Sequence, residues 1–213
     1  MNPSQAVLST AYLPPLEYYS ILLGYNELLV EHFETYAKQT YRNRCLILSA
    51  NGPLPLVIPV VKPNGSKTLT KDVLIDNSVK WQREHWRAIV SAYKRSAYFD
   101  YIADDLEPFY TQKWKYLSGY NMQIINTING ILGVSPTISY TEHFLMDYPG
   151  GVKDFRFSIR PKPSALSDSK EFKPTPYFQV FATRFGFTPN LSILDMLCNA
   201  GLESLMLIRG GKW

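Results

Sequence analysis

The order of apolar and polar positions divides the chain into short elements. Residues 6–13, AVLSTAYL, form an apolar run of strand length. Pro14 and Pro15 follow, and then Leu16, Tyr19, Leu22 and Leu23 recur at helical spacing, with Gly24 as a stop. Proline is tolerated in a first helical turn because its missing N–H would be unpaired there in any case. Residues 27–33, ELLVEHF, read as a second strand. Strand, helix and strand in that order predict a parallel pair joined by a crossover. Residues 45–61, CLILSANGPLPLVIPVV, read as two strands about Asn51-Gly52, a strong hairpin signal. Pro55 and Pro59 make the second of these an edge or broken strand.

Helical spacing dominates the middle of the chain. In 79–94, Trp81, His85, Ala88, Ile89 and Ala92 share one face, and Arg83, Arg87 and Lys94 lie off it. A second helix is expected over 106–117. A third covers 120–133, with Ile124, Ile125, Ile128 and Leu132 as its stripe and Gly133 as its cap. Residues 135–144 return to an extended pattern. Between 147 and 176 the chain becomes rich in proline, lysine and arginine, which predicts a long binding loop or lid. The expected architecture is one α/β domain: a core over 6–146, the loop or lid over 147–176 and a C-terminal strand/helix lobe over 177–213. Its sheet is expected to be small and mixed, opening with a β-α-β unit plus a hairpin and packed with several helices.

Composition narrows the classes. The chain has 213 residues, 46% of them hydrophobic and 19% charged, which is a globular balance. Aromatic residues reach 14%, so many tyrosines sit where an apolar ring and a polar tip are both used. A net charge of +4 suits a local anion site better than a nucleic-acid stripe, so no nucleic acid is expected as partner. The two cysteines, Cys45 and Cys198, are no disulfide framework and favour a reducing compartment. The N-terminal stretch lacks a basic n-region and no run is long enough for a membrane span, so a cytoplasmic protein is expected.

The sequence contains no Walker loop, G-x-G-x-x-G, G-x-S-x-G, C-x-x-C or H-E-x-x-H. No two of His32, His85 and His143 stand at ligand spacing, so neither a metal nor a cofactor is predicted. The segment YRNRC, 41–45, is the sharpest candidate. If 41–48 is extended, Arg42 and Arg44 share a face about 6.6 Å apart, a separation at which two guanidiniums span a diphosphate, and Lys38 adds a third charge. The competing reading is a solvated strand start whose arginines pair with Glu31 and Glu34. His85 is either a general base in a pocket or a hydrogen-bonded core histidine. Asn121 shares the face of Ile124 and Ile128, and a buried amide there needs partners or a ligand. Cys45 neighbours positive charge, but its strand context favours burial. Ser192 and Asp195 look like a catalytic pair, yet S-x-x-D before an apolar run is the capping-box pattern, with Leu191 placed for the hydrophobic staple.

Taken together, AYLPPLEYYSILLGYNELLVE, YRNRC, the Trp81/His85 helix and the closing YFQVF…GFTPNLSILDMLCNAG resemble the WbqC-like family over about residues 6–201. Members of that family occur in bacterial O-antigen and surface-polysaccharide gene clusters, and a glycine-transferase role on sugars has been suggested for some. The resemblance implies an acyl or aminoacyl transferase acting on an amino sugar held as a nucleotide- or lipid-linked diphosphate. It implies that Arg42 and Arg44 clamp the anion, with Lys38 beside them. Asn43 and Gln179 would orient the sugar and His85 would take the proton from the attacking amine, with Tyr12 and, from its helix face, Asn121 as further candidates for the sugar site. Where the family reads Gln-Pro-Tyr, this chain has Thr10, Ala11 and Tyr12. Where many relatives carry adjacent aspartates, it has Glu31, His32, Phe33 and Glu34. A non-catalytic ligand-binding or scaffold protein of the glycan machinery and an RNA-binding module are the alternatives.

Overall fold

The computed structural model describes residues 5–161 and 175–210. Its centre is a four-stranded, wholly parallel sheet. The strands are β1 (Gln5–Ser9), β2 (Glu27–Glu31), β7 (Thr137–Tyr140) and β8 (Val152–Asp154), in the order β7-β2-β1-β8. Ala6, Val7 and Leu8 of β1 are all buried, the continuous apolar run expected of a strand covered on both faces. Helix α1 (Leu16–Leu22) joins β1 to β2, as the opening pattern predicts.

The chain then leaves the sheet for about a hundred residues before returning as β7. The excursion contains the hairpin β3 (Arg44–Ser49) and β4 (Gly52–Val57), and the short pair β5 (Val60–Val61) and β6 (Leu74–Ile75). Gly52 takes a φ of 101°, a conformation that favours glycine, so Asn-Gly marks the turn as expected. The hairpin forms a two-stranded sheet of its own, so parallel and antiparallel strands are divided between sheets. The helices α2 (Trp81–Tyr93), α3 (Phe99–Leu106), α4 (Pro108–Thr111) and α5 (Leu117–Ile131) complete the excursion. The expected helix over 106–117 is therefore one turn, α4. Beyond it, Lys115 accepts a backbone hydrogen bond from Ile75, and Tyr116 bridges Leu74, so pairing with β6 displaces helix.

The predicted loop over 147–176 is corrected in its first half. Val152–Asp154 is β8, an edge strand of the main sheet, and Arg156 beyond it is buried. Residues 162–174, the rest of the expected lid, lie outside the described residues. The C-terminal segment contributes α6 (Ala182–Phe185), α7 (Ile193–Ala200) and α8 (Ser204–Ile208). Helix α7 is buried on all sides, and Ser192 Oγ caps it by accepting the Leu194 N–H at 3.2 Å. Asp195 does not complete the capping box. Its carboxylate turns to the Tyr177 hydroxyl (2.7 Å) and the Gln179 amide (3.1 Å). Ser192→Ala is expected to lower stability by about 1 kcal/mol, read as a shift in the urea midpoint at constant slope. An unchanged midpoint would show that the cap contributes nothing.

Candidate functional site

In open parallel sheets, ligands bind beyond the carboxyl ends of the strands, where the chain changes direction across the sheet. Here that edge holds a concentration of buried charge. Ser9 ends β1, Glu31 ends β2 with Glu34 just beyond, Thr141 follows β7, and Asp154 and Arg156 lie at the end of β8.

Two arginines organise the edge through three ion pairs among the described residues. Arg42, 4% exposed, donates from Nε (3.0 Å) and Nη2 to Oε1 of Glu34, and from Nη2 to Ser9 Oγ at 2.7 Å. Ser9 Oγ in turn donates to Glu34 Oε1 at 3.1 Å. Arg156, 2% exposed, reaches Glu31 Oε2 at 3.2 Å, Asp154, and the carbonyls of Leu145 and Met146. The other Glu31 oxygen accepts the Phe33 N–H (2.7 Å) and the Thr141 hydroxyl (3.0 Å). Buried charges of this kind persist only when paired and hydrogen-bonded, as these are. His32, beside Glu31, stacks on Tyr140 at 4.3 Å, and partial burial pushes its imidazole below the ordinary value.

Beside Glu34 opens a cleft of about 300 Å³, lined by Phe33, Glu34, Thr35, Phe144 and Phe157. The Phe144 and Phe157 rings pack around the Arg156 guanidinium at 5.2 and 5.4 Å from its central carbon. The cation that closes the sheet edge thus also fixes two aromatic walls. Lys71 Nζ lies over the third ring, Phe33, at 4.3 Å.

The residues put forward from the sequence are dispersed. Arg42 reaches the edge, but it precedes β3 and lies in a turn, so it does not alternate with Arg44 along one strand. It is ion-paired with Glu34, as the competing reading had it. Arg44 begins β3, half-buried, with its Nε buried and unpartnered among the described residues. Lys38 is exposed. Asn43 donates to the Ile58 carbonyl at 2.8 Å and ties down the hairpin end. Asn121 donates to Thr10 Oγ1 (3.1 Å) and the Arg42 carbonyl (2.8 Å), so it holds the Arg42 backbone in place. Gln179 is committed to Asp195, Tyr177 and Thr188 in the C-terminal segment.

His85 and Tyr12 meet in the core rather than at the cleft. Tyr12 is fully buried, its hydroxyl 3.0 Å from His85 Nδ1 and 3.0 Å from the Tyr110 hydroxyl. Burial pushes the His85 imidazole down to about 4, with a hydrogen bond to the Val57 backbone opposing the shift. This is the hydrogen-bonded core histidine of the two readings. Cys45 is buried, as its strand context predicts, and burial pushes its thiol well up. Ser9, Phe144, Arg156 and Phe157 are not among the residues the sequence singles out, and Glu31 and Glu34 enter there only as ion-pair partners and at the positions where many relatives carry aspartates. The available signal was positional, because polar residues immediately following apolar parallel strands are the ones that reach this edge.

The WbqC-like protein family matches residues 10–153 of the chain. Uncharacterized protein Rv1507c of Mycobacterium tuberculosis (strain ATCC 25618 / H37Rv) is 25% identical over 222 residues, covering 93% of this chain and 94% of that protein. No solved structure matches the chain. The family match begins just after β1 and takes in the Glu34–Arg42 pair, the whole helical excursion and most of β8, well over half of the sequence, and this chain belongs to the WbqC-like protein family.

Proposed function

We propose that this protein binds an amino sugar of a surface-polysaccharide precursor, carried as a nucleotide- or lipid-linked diphosphate, and serves acyl or aminoacyl transfer to its amine. The observation that supports this most is the cleft, with three phenylalanine rings and one carboxylate at the ends of parallel strands. A pyranose offers an apolar face of C–H groups to such rings, and an amine on the ring complements the carboxylate. A volume of about 300 Å³ is at the lower end for a small-molecule site and suits a sugar ring better than a whole nucleotide sugar. Lys71, over Phe33, supplies positive charge for the diphosphate. With His85 bonded in the core, the proton from the amine goes to a group at the sheet edge or to water.

Calorimetric titration with UDP-glucosamine tests the reading. Wild type is expected to bind saturably. Phe157→Ala should weaken binding by about tenfold, because it removes a wall of the cleft. Phe157 is 51% exposed, so the variant should melt close to wild type. Absence of saturable binding, or equal affinity in the variant, would sink the proposal. Tight binding without transfer when an activated glycyl ester is supplied would favour the non-catalytic binding role.

A further inference from the structure

The Glu34 carboxylate is used on one side only. Oε1 takes every hydrogen bond that the residue receives from Arg42 and Ser9. Oε2 accepts none among the described residues, nor is it sealed off from solvent. The residue is nevertheless 4% exposed and lines the aromatic cleft. An oxygen that keeps some solvent access and accepts no bond from the protein has lone pairs free for a ligand, and the residue that carries it lines the cleft.

Charge balance at the edge points the same way. Three carboxylates, Glu31, Glu34 and Asp154, face two guanidiniums, Arg42 and Arg156. His32 is shifted toward its neutral form, and Lys71 is half-buried over Phe33. The ion-paired groups, with the exposed Asp154 counted among them, carry one more negative than positive charge. A ligand that brings a positive charge against Glu34 neutralises it, whereas an anionic group placed there does not.

We infer that Glu34 Oε2 is the oxygen that binds the ammonium of the ligand in the cleft, and that it sets selectivity for an amine over a hydroxyl or an acylated nitrogen. Arg42 and Ser9 are positioning residues. They hold Oε1 and so fix the direction of Oε2. The inference rests on reading the cleft as a sugar site, and it adds the group that chooses among sugars. The same oxygen disfavours the N-acylated product, which has lost the charge, so product leaves more readily than substrate.

Calorimetry at pH 7 with UDP-glucosamine, UDP-N-acetylglucosamine and UDP-glucose separates the two levels. Wild type is expected to bind UDP-glucosamine about tenfold to a hundredfold tighter than UDP-glucose, as for one charge-assisted contact. Glu34→Gln keeps the shape and should bring the three ligands within about threefold, with Glu34→Asp between the two. If wild type binds all three alike, or Glu34→Gln keeps the wild-type preference, this inference falls and the sugar-site reading stands. If wild type binds none, both fall. Should Glu34→Gln fail to fold, carboxyl-¹³C glutamate spectra of wild type decide. The Glu34 resonance should move with UDP-glucosamine and stay with UDP-glucose, and equal responses would overturn the inference.

Discussion

Replacing Arg156 with methionine is expected to cost about 3–5 kcal/mol of stability, the range for removing one partner of a buried ion pair. The reason is the completeness of its bonding. Nε faces both Asp154 oxygens at 3.0 Å. Nη1 reaches Glu31 (3.2 Å) and the Leu145 carbonyl (2.8 Å), and Nη2 reaches Asp154 (2.6 Å) and the Met146 carbonyl (3.1 Å). Methionine fills much of the volume but leaves the Glu31 carboxylate, fully buried, without its cation. Lysine should recover little, because a single ammonium cannot replace a planar fork that serves two carboxylates and two carbonyls. Guanidinium unfolding of wild type, Arg156→Met and Arg156→Lys checks this through the midpoint at constant slope. Adding Glu31→Gln to Arg156→Met should restore part of the loss, since it removes the stranded charge and keeps an acceptor for Phe33 and Thr141. Near-wild-type stability of Arg156→Met would mean that the pairing at this edge contributes little. The same substitution should loosen the cleft, because Phe144 and Phe157 pack on the guanidinium it removes.

That pairing also shows where sequence reading stops. The β1-α1-β2 opening, the Asn51-Gly52 hairpin and the stripes of α2 and α5 were legible, because each depends on contacts within about twenty residues. Helix α3 is not among the predicted helices, although Phe99, Ile102 and Leu106, its buried positions, stand at a short helical spacing between polar stretches. Strand β8 falls within the stretch that the sequence predicts as a loop. Three residues, only Val152 half-buried, carry no period of their own, and β1 is what makes them a strand. The candidate site divides along the same line. The Arg42–Glu34 pair spans eight residues and was weighed as an ion pair, whereas Arg156 meets Glu31 across 125 residues, through a sheet neighbour that no local pattern announces. Asn121, predicted as a buried amide in need of partners or a ligand, bonds across the core to Thr10 and Arg42. Chemistry alone pointed to arginines near a diphosphate. The sheet edge turns attention to the carboxylate that one of them holds.

Between pH 6.5 and 4 the protein is expected to lose stability because of His85, by about 3 kcal/mol at the lower end. In the folded chain the imidazole is 6% exposed, against Trp81 and Tyr12, with Nδ1 at the Tyr12 hydroxyl and the ring also bonded to the Val57 backbone. The neutral ring can make both contacts, one nitrogen accepting and the other donating, and burial outweighs the pull of the Val57 bond toward the charged form. Burial lowers its folded pKa to about 4, while the unfolded chain titrates near 6.5. Within that window the unfolded state binds the extra proton, so stability is full above pH 6.5 and falls as pH drops through the window to the folded value. His32 is shifted in the same direction and adds to the slope. Asp195 acts oppositely. Burial raises its carboxyl above the usual value, so its contribution is lost as pH rises through the folded pKa. Denaturant midpoints at several pH values, for wild type and His85→Gln, separate these terms. His85→Gln should be less stable than wild type at pH 7, where Tyr12 and Val57 lose well-placed partners. Its stability should then change less from pH 6.5 to 4, because the group that titrates is gone, while His32 and Asp195 still contribute. Equal slopes in the two proteins would show that His85 does not stay neutral in the fold. They would reopen it as a group able to exchange a proton near neutrality.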